Sequence, residues 1–243
     1  QLDQPKRGSH PDGTDVSALE HLLGGRQTMP RELGLFLGTT WRLHPSICAF
    51  TSELFYESRL ASRGGLERQA IRGPTPFAGS GLWFVPVEHD GNTNESAEEA
   101  DAVASLVASL LDGSVTWRAA KGAVHPVEQE DILVVAPYNA HVAALLDRLP
   151  NGARVGTVDR FQGQEAPIVV YTMATSSPDL APRGMEFLYS PSRLNVATSR
   201  ARCACILVAN PRLFEPECRT PRQMQLANAF CRYLEMARGT PEM

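Results

Sequence analysis

The sequence predicts an α/β fold in which a mostly parallel central sheet is flanked by helices. Residues 167–174 and 203–209 are near-continuous apolar runs, the pattern of strands buried on both faces of a parallel sheet. Residues 132–135 form a shorter run of the same kind. Across residues 38–236 such runs alternate with segments of helical spacing, as in chains built from strand–helix–strand units.

The elements follow from local chemistry. His10-Pro11-Asp12-Gly13 is turn chemistry and not a metal site, and a helix is expected at 16–23. Residues 35–40 are a candidate strand. Pro45 then suits the first turn of a helix in which Ile47, Phe50 and Leu54 recur at helical spacing. Residues 57–81, rich in Arg, Gly and Pro, are expected as a surface loop, 82–87 as a strand and 90–94 as a turn. Ser96 and Glu99 make a capping box for a helix to about Leu111, with Val103, Leu106, Val107 and Leu110 toward a core. The acidic run 95–101 is then a well-placed helix N-terminus rather than an acidic active site. After the run at 132–135, Pro137-Tyr138-Asn139-Ala140 opens a helix whose Val142, Leu145, Leu146 and Leu149 share one side. Asn139 suits a helix cap there as well as a ligand contact. A helix at about 222–236 follows near the end of the sequence.

Bulk numbers narrow the function. A chain of 243 residues with 43% hydrophobic and 21% charged content can bury a full core. No apolar run approaches the ~20 residues of a membrane span. Cys48, Cys203, Cys205, Cys218 and Cys231 lack paired C-x-x-C spacing, so no structural zinc or disulfide framework is expected, and a reducing cytoplasm is the expected compartment. The net charge of −4 leaves any nucleic-acid contact to a local arginine patch. The only lysines are Lys6 and Lys121, so the phosphate-loop pattern G-x-x-x-x-G-K-[ST] is absent.

Two polar segments are poorly chosen for packing alone. Thr157-Val158-Asp159-Arg160-Phe161-Gln162-Gly163-Gln164-Glu165 precedes the first long apolar run. A short helix carrying Arg193, Asn195, Ser199, Arg200 and Arg202 is expected before the second. On a helical wheel Leu194, Ala197 and Ala201 form a small apolar stripe, with Arg193 and Arg200 about 20° apart beside it and Arg202 near the other flank. Alone, that arrangement fits a solvated basic face as well as a boundary between domains.

These segments resemble motifs V and VI of superfamily 1 helicases, in the branch holding the nonsense-mediated-decay and RecD-type 5′→3′ enzymes. Thr157 to Glu165 carries T-V-D-x-x-Q-G-x-E at every fixed position, and Leu194 to Arg202 carries L-N-V-A-x-[ST]-R-A-[RK]. Trp41-Arg42-Leu43-His44-Pro45, with Phe50, Ser52, Phe55 and Tyr56, is similar to motif IV. Trp41 and Leu43 replace the usual Tyr and Met as packing-compatible exchanges. Pro137-Tyr138-Asn139-Ala140 is similar to motif IVa, and Gln1-Leu2-Asp3-Gln4-Pro5 resembles the end of motif III. The resemblance covers nearly the whole chain. It implies a RecA-like fold at residues 38–243, the second of two motor domains, with 1–37 as the end of motif III and a linker from a missing first one.

The resemblance also implies a division of labour. A second motor domain closes over a nucleotide held by the first and adds arginine fingers, worth roughly 10³–10⁵ in rate in related NTPases. By resemblance Arg42 and Arg200 are the catalytic fingers. Gln1 would lie near the γ-phosphate, Glu165 would accept a hydrogen bond from the ribose, and Gly163 would allow close backbone approach. Arg202 joins the nucleotide-binding set as the less favoured finger, from its place on the wheel. Thr157 would contact sugar-phosphate, with Tyr138 and Asn139 in reserve, and such contacts carry no base specificity. The implied cofactors are ATP and Mg2+, bound mainly by the missing domain, with no metal ligands in this chain. The implied partners are single-stranded DNA or RNA and an N-terminal RecA-like domain of the same polypeptide; bacterial helicase–nuclease fusions add a fused nuclease as a candidate, and no membrane is implied. Without a phosphate loop the chain is expected to be inactive alone. The alternative is a non-catalytic RecA-like module that binds single strands or a partner, against which Arg42, Glu165 and Arg200 stand intact. A nuclease within the chain is disfavoured, because neither lysine follows a glutamate in an E-x-K pattern.

Overall fold

The computed structural model describes residues 17–161 and 163–238. In chain order they form α1 (Ala18–Leu23), β1 (Thr39–Thr40), α2 (Pro45–Phe55), β2 (Ala61–Ser62), β3 (Ala70–Arg72), β4 (Gly81–Pro86) and α3 (Ala97–Leu110). Then come β5 (Thr116–Arg118), β6 (Val124–Pro126), β7 (Ile132–Ala136), α4 (Asn139–Leu146), β8 (Arg154–Thr157) and β9 (Ala166–Thr172). The last elements are α5 (Gly184–Leu188), α6 (Pro191–Thr198), β10 (Ala201–Ala209) and α7 (Pro221–Met236).

The central sheet has the order β4-β10-β9-β7-β8, and every pairing in it is parallel. This is the RecA-like α/β arrangement expected from the apolar runs. Successive side chains of a strand point to opposite faces, and the sequence fills both. Cys205, Leu207, Val169 and Tyr171 enter one core with Ile47 and Phe50 of α2, Leu194 of α6 and Phe230 of α7. Ile206, Val208, Ile168 and Val170 enter the other with Val103, Leu106 and Leu110 of α3 and Leu145 of α4. The helix caps follow the sequence as well: His44 precedes Pro45 and accepts from the Ser46 N–H, and Ser96 accepts from the Glu99 N–H.

Four local expectations are corrected. The strand expected at 35–40 shrinks to Thr39–Thr40, paired only with β2, and Leu35 is 92% exposed. Alternation in a sequence cannot reveal that a strand has no larger sheet to join. Residues 57–81 are no plain surface loop: β3 pairs antiparallel with β5, and Leu66, Ile71 and Phe77 are buried. The capping box of α3 is only half made, because the Glu99 side chain turns away into the interior. Finally, the helix expected to carry Arg193 through Arg202 ends at Thr198, and Arg202 belongs to β10. There Ala201 pairs with Ala166 and the Ala166 N–H donates to the Arg200 carbonyl, so the strand ladder takes the chain before another helical turn forms. The wheel argument against Arg202 therefore does not apply.

Candidate functional site

Four of the residues singled out in the sequence meet at the end of the sheet where β9 and β10 begin. Arg42 donates through Nε to the Glu165 carboxylate and through its Nη1 to the Ser199 carbonyl at 3.0 Å. Arg202 Nε lies 3.7 Å from the other Glu165 oxygen, and its guanidinium sits 5.1 Å from the Trp117 ring centroid. The chain around Arg42 is tied to the start of β10 by backbone. The His44 N–H donates to the Arg202 carbonyl, and the Gln69 side-chain amide donates to the carbonyls of both Arg42 and Arg202.

Arg200 sits beside them. Its Nε, like that of Arg202, is buried and has no hydrogen-bond partner among the described residues, and unlike Arg202 it has no ion pair with Glu165. Burial first, and the positive charge of Arg42 second, hold its pKa below the ordinary arginine value. Charged guanidinium groups are rarely left with a desolvated, unsatisfied donor, since each such atom costs about 1–3 kcal/mol or more. Arg42, Glu165, Ser199 and Arg200, together with Leu37, Trp41 and Asn195, line an open cleft of about 500 Å³, with Arg202 behind Glu165 and outside that lining.

One further residue of the cleft differs from the sequence reading. Trp41, read as a packing exchange, is 68% exposed, with the Arg63 guanidinium 3.6 Å from its ring centroid. Its motif position was legible; its exposure was not. Gly163 adopts φ +85° in the turn before Glu165, and a Cβ there would meet nothing within 4 Å. In this state glycine is required by the backbone angle rather than by a close neighbour. Gln1 lies outside the described residues.

The remaining predicted contacts gather at the opposite end of the sheet, where β7 and β8 finish. Thr157 ends β8, and Tyr138 and Asn139 follow β7, all three lining a groove of about 340 Å³ with Asn94, Arg183 and Arg193. Tyr138 is only 7% exposed, its ring 5.4 Å from Phe187, and it occupies the N-cap position of α4. Asn139 is therefore not the cap; it is the first helical residue and its side chain is exposed. Phe187 carries guanidinium groups of both Arg183, at 3.9 Å, and Arg193, at 4.3 Å. Arg193 also pairs with Asp159 at 3.5 Å. Sequence reasoning missed Arg183 and Phe187, which belong to the short helix α5 and its N-cap and carry no motif of their own. β8 and β9 both pair parallel to β7, so between Thr157 and Glu165 the chain returns from one end of the sheet to the other. That one short segment touches both the groove and the cleft.

A RecA-like parallel sheet with an arginine–glutamate cleft at one end of its strands and an arginine-lined groove at the other defines the class of this chain. It belongs to the AAA_12 family, an AAA domain, whose sequence model matches residues 14–212. It is similar to the regulator of nonsense transcripts 1 homolog of Arabidopsis thaliana, 29% identical over 190 residues. It is similar as well to an uncharacterized ATP-dependent helicase of Caenorhabditis elegans, 28% identical over 178 residues, and to human 3′-5′ exoribonuclease HELZ2, 30% identical over 198. The matches cover 74%, 72% and 72% of this chain but only 15%, 11% and 7% of those proteins. The chain is thus homologous to superfamily 1 helicase domains and spans a small part of each relative's length.

Proposed function

We propose that this chain is the second motor domain of an ATP-dependent superfamily 1 helicase or translocase. Residues 38–243 form that domain, and 1–37 hold the end of motif III and a linker from a first one. The observation that carries this reading is the unsatisfied Arg200 Nε, buried beside Arg42 at an open cleft. Two neighbouring arginines, one with a spare desolvated donor, form a site that an anion would stabilise. The planar guanidinium fork matches phosphate oxygens bidentately.

A nucleotide fits this cleft. ATP with Mg2+ supplies a transferable γ-phosphoryl group when bound across the two domains. Arg42 and Arg200 donate to its oxygens as fingers, stabilising charge that develops during transfer. Glu165 accepts from the ribose, Arg202 holds Glu165 in place, and Gln1 lies near the γ-phosphate. The exposed face of Trp41 on the cleft rim offers a surface for stacking a base. The phosphate loop and metal carboxylates belong to the first domain, so this chain alone is inactive.

The groove holds single-stranded DNA or RNA. Thr157, Asn139 and the backbone at Tyr138 meet sugar-phosphate, and Arg183 and Arg193 supply the local positive charge that the acidic chain lacks overall. Nucleotide state and strand position are coupled through the segment between Thr157 and Glu165. A non-catalytic binding module would have no use for the Arg42–Glu165–Arg200 cleft. No helix of the described residues is long and apolar enough to cross a membrane, and the proposed compartment is the cytoplasm. A bacterial helicase–nuclease fusion is the proposed setting.

Phosphate release from ATP tests the reading. The chain alone should stay at background with or without added single strands. A polypeptide joining it to a phosphate-loop motor domain should turn over and be stimulated by strands. Robust strand-stimulated turnover by the chain alone would refute the division of labour between two domains.

A further inference from the structure

Glu99, read in the sequence as a helix-terminal charge, is 0% exposed. One of its oxygens accepts from the N–H groups of Met173 at 2.9 Å and Ala174 at 2.8 Å, and from the Thr172 hydroxyl. The other faces His89 Nε2 at 3.0 Å. Ala174 leaves β9 with φ +67°, a left-handed backbone that a non-glycine residue adopts only under local constraint. The carboxylate grips the chain at that turn.

Two hydrogen-bond chains converge on Glu99, and for neutral imidazoles their polarity follows from a backbone donor at one end and the carboxylate acceptor at the other. The Ser96 N–H donates to His141 Nδ1 at 3.3 Å, so His141 Nε2 carries hydrogen and donates to Thr172 Oγ1 at 3.0 Å. Thr172 passes its own hydrogen to Glu99. In parallel, the Asn92 N–H donates to Ser176 Oγ at 2.9 Å, leaving the Ser176 hydroxyl to donate to His89 Nδ1 at 2.7 Å. His89 Nε2–H then donates to Glu99. Every donor along both chains is used, and His89, Ser96, Glu99, His141, Thr172 and Ser176 are all buried. Such fully satisfied buried networks specify a unique arrangement of the elements they join.

What they join is the proposed strand groove. Asn94 lies between Asn92 and Ser96, the two residues whose N–H groups start the chains. Asn139 stands two residues before His141 on the first turn of α4. Thr175 adds a further tie by donating from its hydroxyl to the Thr93 carbonyl at 2.6 Å. Asn94 and Asn139 both line the groove, from segments that this network ties together. We infer that Glu99 is a positioning residue for single-strand binding, setting Asn94 and Asn139 at the spacing the sugar-phosphate backbone requires. This inference rests on the groove being the strand path.

Fluorescence anisotropy of the 243-residue chain with a labelled mixed-sequence oligonucleotide at low salt tests it. Glu99→Gln places an amide N–H₂ against donors, so one branch must break or His89 must change tautomer and reverse its hydrogen bonds. Thr172→Val removes the relay hydroxyl while keeping the side chain's shape, and Thr172→Ser restores the hydroxyl. Glu99→Gln and Thr172→Val should melt cooperatively yet bind roughly tenfold more weakly, while Thr172→Ser binds like wild type. A network that only supports the fold would lower the melting temperature of the variants and leave their affinity unchanged. That result, with Asn139→Ala still weakening binding, overturns the positioning role and leaves the groove standing. If the wild type binds no strand, or Asn139→Ala changes nothing, the groove reading falls and the inference with it. Should Glu99→Gln fail to fold, the Thr172 pair decides.

Discussion

Arg42 donates to the carboxylate of Glu165, 123 residues further along the chain, and thereby closes one side of the cleft. Arg202 faces the second carboxylate oxygen at 3.7 Å, so a single glutamate lies between two arginines, while the buried Nε atoms of Arg202 and of Arg200 next to it have no hydrogen-bond partner among the described residues. The Arg42 and Glu165 side chains are 31% and 40% exposed. An ion pair in that setting contributes only about 0–1 kcal/mol to stability, so its significance is positional.

Glu165→Gln should therefore leave the melting temperature within about 2–4 °C of wild type. In a polypeptide that also carries a phosphate-loop domain, it should raise KM for ATP, since both the ribose contact and the placement of Arg42 are weakened. Calorimetry and steady-state ATPase assays read the two effects separately. An unchanged KM would remove Glu165 from the nucleotide site.

Arg200→Lys keeps the charge and loses the fork. In the same two-domain polypeptide, kcat should fall by roughly 10²-fold or more, with strand affinity within about twofold of wild type. Lost strand binding with normal turnover would move Arg200 from the cleft to the groove.

The chain alone should bind single strands weakly and without sequence preference. Dissociation constants on the order of 10⁻⁴–10⁻⁶ M or weaker are expected, easing only gently with salt because few phosphates are neutralised. Thr157→Val should weaken binding further. A salt series with two unrelated oligonucleotides measures both properties, and tight, sequence-selective binding would favour a dedicated binding module.

Stability should decline in acid for a traceable reason. Burial is the largest influence on His141 and lowers its pKa from the ordinary 6.5, with the charge of Glu99 opposing. The unfolded chain therefore takes up a proton near pH 6.5 that the folded chain resists. Stability from this group is fully present above that pH and is lost as pH falls below it. Glu53, held low chiefly by Arg232, and Glu98, held low chiefly by its own backbone N–H, extend the loss through the carboxylate range. Urea midpoints at pH 8, 6.5, 5 and 4 should fall in that order; a flat profile between pH 8 and 5 would show that His141 does not titrate differently on unfolding.

Much of this was legible in the sequence, because hydrophobic burial is local and periodic. The runs that became β7, β9 and β10 could be read directly, since a strand buried on both faces tolerates little else, as could the cap Ser96 and the first-turn Pro45. The nine residues from Thr157 and the segment around Arg42 could also be marked as chemically unusual. Only the tertiary structure decided what those residues face. It ended α6 at Thr198, because pairing of Ala201 with Ala166 outweighed a continuing helical pattern. It exposed Trp41 and buried Tyr138, two aromatic residues whose environments no local pattern distinguishes. It turned Glu99 from a helix-terminal charge into the centre of a buried network, because its partners come from residues 10 to 75 positions away. Propensity and periodicity act over a few neighbours along the chain. A partner's identity is set by which strands lie side by side, and that is a property of the whole fold.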